Sequence, residues 1–470
     1  MKSGFYVAVS AIALLSSGAA YAQNNTASIT QSANSSQANA TITQSDQITT
    51  SSANIVQDAA GSGSNRASAT VTQGSGQSNS ATNTAKVEQR SVTDGADILI
   101  NQSGTNGGTN FANVLQNGLV GGGSGGADIA QIANGSGDNR IGTFSFQSFQ
   151  YDVGFEQQGT NTTAFIRQTT TGALNDISEM VQSGVGTAAK IFQGNTLNSG
   201  GTNRISRISA SGNLSIYQDS ANSGVNELVK FTGGGTKSDF TQSASDSGIN
   251  RIGSLFSSGV DVTNNSFAIT QIATGSGNNN VGTISGATAI GGDATINQTT
   301  SGAAFYYLDM NMSGGSLAIN QLAASIGTGL VVITTFTGGS GLITQTAASN
   351  GGLNTIEVGS NDSSSNLAIL QGGSDNGISV DRKFSSGQNN MLDNGSLKYG
   401  DSSNLSLSRL TIEQDGTSNK AYLTQYTANN VGRIYQAGAA NEATINQKQL
   451  SGNTAFIVQL GSSSSAIINQ

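Results

Sequence analysis

Leu410-Thr-Ile412-Glu-Gln414, Ala421-Tyr-Leu423-Thr-Gln425, Gly432-Arg-Ile434-Tyr-Gln436, Ala443-Thr-Ile445-Asn-Gln447, Ala455-Phe-Ile457-Val-Gln459 and Ala466-Ile-Ile468-Asn-Gln470 are one phrase written six times. Successive glutamines lie about 11 or 12 residues apart. Within each phrase an apolar position alternates with a polar one, the period of a β-strand. One strand per short, fixed period describes a stacked array.

The phrase recurs from the start of the mature chain: Ala27-Ser-Ile29-Thr-Gln31, Ala40-Thr-Ile42-Thr-Gln44, Ala53-Asn-Ile55-Val-Gln57, Ala69-Thr-Val71-Thr-Gln73 and Ala85-Lys-Val87-Glu-Gln89. Roughly 25 copies can be counted, which rules out coincidence. In the middle of the chain the glutamine spacing doubles: Gln193, Gln218, Gln242, Gln271, Gln298, Gln321, Gln345, Gln371. Between these stand strand-like runs without glutamine, such as Asn203-Arg-Ile205, Asn226-Glu-Leu228, Asn250-Arg-Ile252 and Asn354-Thr-Ile356. The unit is therefore two strands throughout. Residues 371–410 are the least regular, and the stretch from Gly372 to Asn404 is expected to form an irregular or looped-out rung.

Composition agrees. The chain has 63 glycines and no proline. Proline cannot donate to a β-ladder, so its absence suits strands paired on both edges. Glycine, serine, asparagine and aspartate supply the turns. Hydrophobic residues make up 35% of the chain. That is thin for an ordinary core and sufficient for a narrow stripe buried between stacked rungs. Disorder is disfavoured, because net charge is only −8 over 470 residues and the apolar residues are periodic. The expected fold is all-β: a single-chain β-solenoid of stacked strand–turn–strand rungs, cross-β in character, over residues 23–470.

Histidine and cysteine are absent. The usual general bases, activated nucleophiles and soft-metal ligands are missing with them. No catalytic, cofactor-binding or metal site is expected. A pI near 4.5 and the lack of a basic run argue against nucleic acid. Residues 1–22 read as a secretion signal: Lys2, an apolar run from Tyr6 to Leu15, and the small-x-small site Ala20-Tyr-Ala22, with cleavage between Ala22 and Gln23. No later segment reads as a membrane span, so the product is expected beyond the inner membrane without an anchor.

Each residue type has an expected place in a rung. Ile412, Ala421, Leu423, Ile434, Ala443, Ile445, Ala455, Ile457 and Ile468 form the inward stripe. Gln414, Gln425, Gln436, Gln447, Gln459 and Gln470 share the inward parity. A buried amide is tolerable when it stacks on the amide of the next rung, donating one way and accepting the other. Asn419 and Asn441 can do the same at the opposite end of the strand. The last two phrases are ordinary repeats with no atypical capping unit, so rods are expected to add end to end.

Gly135-Ser-Gly137-Asp-Asn139 and Gly275-Ser-Gly277-Asn-Asn-Asn280 lack the regular calcium-roll nonapeptide and read as plain turns. Asp219 and Glu227 read as solvated charges. Tyr306-Tyr307 and the phenylalanines from Phe144 to Phe149 read as filling for a wider rung, with a carbohydrate- or dye-binding aromatic strip as the alternative.

Gln414-Asp-Gly416-Thr-Ser-Asn419-Lys-Ala421-Tyr-Leu-Thr-Gln425 and Gln436-Ala-Gly438-Ala-Ala-Asn441-Glu-Ala443-Thr-Ile-Asn-Gln447 are tandem copies of Gln-x-Gly-x-x-Asn-x-Ala-x-x-x-Gln. This pattern resembles the repeat of curlins, the subunits of curli, the amyloid fibres of bacterial biofilms. Degenerate copies begin at Gln157 and Gln182. The chain departs from the family in its greater length and in lacking a glycine-rich lead segment. The resemblance implies a secreted, bacterial surface-fibre subunit for adhesion and biofilm matrix, with itself as principal partner. It further implies an outer-membrane secretion pore and a nucleator subunit. The competing reading is a monomeric β-solenoid adhesin that binds a ligand along one face.

Overall fold

The computed structural model describes most of residues 24–381 and 409–470, chiefly the strands and the tight turns joining them. Residues 1–23, 382–408 and a number of inter-strand segments lie outside the description. The expected signal segment and its Ala22–Gln23 junction therefore fall outside it. So do Asn419, Gln425 and Gln447.

The described residues form strands and turns, with no helix among them. The chain is a β-solenoid of stacked parallel strands, and it divides into two compact units, Met1–Gln193 and Gly194–Gln470.

In the first unit one sheet stacks Asn24–Ser32, Thr50–Asp58, Thr82–Arg90 and Thr109–Leu119 in parallel register. A second sheet stacks Gln37–Ser45, Arg66–Gly74, Asp97–Gly104, Gly126–Ala133 and Thr163–Thr170. Consecutive phrases thus go to opposite sheets, and each phrase lies on the next but one. Ala69 pairs with Ala40 and Ile98, and Val71 with Ile42 and Ile100. All six are buried, while Thr41 and Thr43 face solvent. Small alanine lets the two sheets approach at one end of the strand, and the β-branched residue two positions on fills the space behind it. Burying one such isoleucine or valine removes about 1.5–3 kcal/mol of exposed-surface cost per strand. The stack sums many small increments where a globular protein has one thick core.

One rung of this unit is interrupted. Thr109–Leu119 pairs first with Asn139–Ile141 and then with Phe155–Gly159, so two short strands complete one ladder position. Between them Phe144–Ser145 and Gln150–Tyr151 pair only with each other, antiparallel. The aromatic stretch expected to fill a widened rung instead contributes a hairpin separate from the solenoid sheets. Phe146 and Phe149 lie outside the described residues. The neck explains how the ladder survives this excursion. Gly142 N donates to Ala112 O at 3.1 Å and Gly154 N to Glu179 O at 3.1 Å. A Cβ at Gly154 would lie 2.4 Å from the Gly142 nitrogen, so only glycine lets the two ends of the excursion touch. Tyr306 and Tyr307, by contrast, hold positions within a rung, in Phe305–Ser313 between Asn278–Val281 and Thr328–Thr337.

In the second unit one column of glutamines runs in register through Gln218, Gln242, Gln271, Gln298, Gln321, Gln345, Gln371, Gln414, Gln436 and Gln459. This accounts for the doubled glutamine spacing: one sheet keeps the residue and the other has dropped it. The other sheet stacks Thr202–Ala210, Val225–Gly233, Ile249–Ile252 and Asn278–Val281, aligned on Asn203, Asn226, Asn250 and Asn279. Strict alternation breaks where these strands turn a corner: Ile205, Ser206 and Ile208 are all buried. At such a corner the ring of Phe231 meets that of Phe240 edge-on, 5.1 Å between centroids. The poorly matching stretch after Gly372 begins with a regular rung strand, Asp375–Asp381, paired with Leu353–Gly359. The stack then resumes with Asn366 paired to Arg409.

Candidate functional site

The distinctive chemistry of this molecule is the buried primary amide. In the first unit Gln131 Nε2 donates to Gln102 Oε1 at 2.7 Å, Gln168 to Gln131 at 2.8 Å, and Gln193 to Gln168 at 2.7 Å. In the second, Gln242 donates to Gln218, Gln271 to Gln242 and Gln298 to Gln271, each at 2.8 Å, and Gln321 to Gln298 at 2.6 Å. All these side chains are buried.

The second proton of each amide has its own use. Gln131 Nε2 also donates to Arg140 O, Gln242 to Arg251 O and Gln271 to Asn280 O, each nine residues ahead. One proton therefore joins rung to rung, and the other closes the arc between the sheets within a rung. This resolves the cost of an inward glutamine: both donors and an acceptor lone pair are satisfied within the buried column.

The asparagines form matching columns on the other sheet. Asn83 Nδ2 donates to Asn110 Oδ1 at 2.9 Å, Asn110 to Asn139 at 2.8 Å, and Asn139 to Asn175 at 2.9 Å. Asn203, Asn226, Asn250 and Asn279 repeat the arrangement at 2.8–2.9 Å. The sense is opposite. These glutamines donate toward the preceding rung and these asparagines toward the following one. From Gln102 to Gln193 and from Gln218 to Gln321 the bonds point one way and polarise one another, opposed to the asparagine columns; near the end of the second glutamine column the sense reverses, with Gln436 donating to Gln459.

Sequence reasoning assigned the glycine clusters near Asn139 and Asn279 to plain turns, yet both asparagines are ladder members. The missed signal is glycine two residues ahead of the asparagine, at Gly137, Gly201, Gly224, Gly248 and Gly277. In the second unit these glycines stack on one another: Val225 N donates to Gly201 O, Ile249 N to Gly224 O and Asn278 N to Gly248 O. A Cβ at Gly248 would lie 2.8 Å from Gly224 O and 2.7 Å from the Ala244 Cβ. From Gly201 to Gly277 the bare backbone lets these turns lie directly on one another just ahead of the ladder asparagines.

The C-terminal phrases take these places. Ile434, Ala443 and Ile445 are buried. Gln436 is buried and its Nε2 donates to Gln459 Oε1 at 2.6 Å. Asn441 is buried, with Ser464 Oγ donating to its Oδ1 at 3.5 Å. Ile412 and Gln414 stand in register with Ile434 and Gln436, and Ala421 and Leu423 with Ala443 and Ile445. Ala455, Ile457 and Gln459 are half-buried. Ile468 pairs with Ile445 but is 46% exposed, and Gln470 is exposed beyond the end of Ser465–Ile468. Among the described residues that strand is paired on one side only, so its inward face is not covered from the other.

The outward faces carry few charges. Glu227 and Arg251 pair at 3.4 Å, so Glu227 is an outward strand residue with a cationic neighbour. Asp128 sits between Leu99 and Phe165 on adjacent strands. Partial burial there holds its carboxyl above the ordinary 3.8. A carboxyl that binds its proton more tightly when folded adds stability below pH 3.8 and loses it as pH rises through the raised value. Asp128→Asn is therefore expected to raise the urea midpoint at pH 7 and to leave it unchanged below pH 3.8. Equal midpoints for variant and parent at pH 7 would contradict this placement.

Among the described residues no group of three or more acidic side chains could hold a metal ion, and no helix is long and apolar enough to cross a membrane. Compared with family models, curated proteins and solved structures, the chain matches none of them.

Proposed function

We propose that this chain is a secreted structural subunit that assembles end to end into curli-like amyloid fibres for adhesion and biofilm matrix. The observation that carries the reading is the in-register amide column. Each rung offers its neighbour the same strand edge, apolar stripe and directional amides that it receives from the rung before. A surface of that kind is a template for another copy of itself. By resemblance to curlins, the chain would leave through an outer-membrane pore and be nucleated by a companion subunit. The reading assigns it no catalytic activity and no cofactor.

The test is a thioflavin-T time course on residues 23–470 diluted from denaturant, with electron microscopy at the end. The expected result is a lag, growth, and fibres with a spacing near ~4.8 Å. Ile468→Asp should slow elongation at least tenfold. Burying an unpaired carboxylate in a new interface costs well above the ~1.4 kcal/mol that a factor of ten represents. A β-rich chain that stays monomeric and binds no dye would overturn the proposal in favour of a monomeric adhesin.

A further inference from the structure

A groove of about 490 Å³ lies on the outward face of the second sheet of the first unit, where its strands begin. Its floor is Gly126, which stands in register between Asp97 and Thr163. A Cβ at Gly126 would come within 3.2 Å of the Asp97 carboxylate, so the missing side chain is what opens the depression. Leu99, Asp128 and Phe165 line up in the adjacent column, and Lys190 continues the lining on the next strand. Phe165 is 43% exposed and Leu99 37%.

We propose that this groove binds a pyranose polysaccharide. The lining alternates an exposed aromatic ring, carboxylate acceptors, a hydroxyl and an ammonium donor. A sugar ring presents the complement: an apolar C–H face for Phe165, hydroxyl donors for Asp97 and Asp128, and oxygen acceptors for Lys190. The groove crosses five strands, from Ser68 to Lys190, about 19 Å at the usual strand spacing. A sugar chain laid along the stack repeats at a length close to that spacing, so successive rings meet successive rungs. A purely apolar ligand would leave both carboxylates desolvated without partners, and a nucleic acid would meet Asp97 and Asp128 with its phosphates. The site stands apart from the stacking edge, so it does not depend on polymerisation.

The test is isothermal titration of the 23–470 chain with cellohexaose and with chitohexaose. At least one should bind, with Phe165→Ala weakening it about tenfold or more and Asp128→Asn several-fold. Gly126→Val, which fills the floor, should abolish binding. Phe165 lies on the solvent face, so circular dichroism and dye-monitored growth of Phe165→Ala should match the parent. This separates failure of the site from failure of the fibre reading. Absence of binding by both oligosaccharides, or unchanged binding by Phe165→Ala, would overturn the proposal.

Discussion

Gln271→Leu is expected to cost the second unit about 4 kcal/mol of stability, because it orphans three buried polar groups at once. The native amide donates to Gln242 Oε1 and Asn280 O and accepts from Gln298 Nε2. Leucine restores the volume and none of these bonds. The measurement is urea unfolding followed by circular dichroism, with outward Thr270→Ala as a control expected within about 0.5 kcal/mol of the parent. The double variant Gln271→Leu with Gln298→Leu should cost less than the sum of the singles. The second change removes one of the orphans that the first created. Additive losses would mean that the column is a set of separate arc closures with no coupling between rungs.

Phe240→Ala is expected to lose about 3–5 kcal/mol. Phe240 is buried against the edge of Phe231, ring planes at 62°. It stands in register between Ile216 and Ile269. Those neighbours cannot collapse into the cavity, since backbone ladders on both sides hold them at strand spacing. The loss should also be local, because each rung contacts only its neighbours. Hydrogen exchange should show faster amides from Asn213–Ser220 through Ser266–Ala273 and little change in strands several rungs away. Phe240→Leu should cost under about 1.5 kcal/mol. A uniform loss of protection along the whole unit would contradict the nearest-neighbour picture.

Much of this molecule could be read without coordinates. Alternation at Ala69-Thr-Val71-Thr-Gln73 assigns a strand, an inward face and an inward amide, because strand parity is a local property of five residues. The doubled spacing from Gln193 to Gln371 correctly announced a two-strand unit in which one strand had lost its glutamine. Tertiary structure alone decided which phrases touch. Gln414 stands beside Gln436, the glutamine of the next phrase but one, since consecutive phrases go to opposite sheets. It alone decided the donor sense of each column, because an amide's direction depends on the carbonyl across the arc as well as on its own phrase. Gly154 and Gly248 look like any other turn glycine until a backbone 12 or 24 residues away is seen against them. The hairpin at Phe144 and the groove at Gly126 follow the same rule. Each depends on contacts between residues far apart in the chain, and a repeat sequence, nearly the same at every step, does not say which step is the exception.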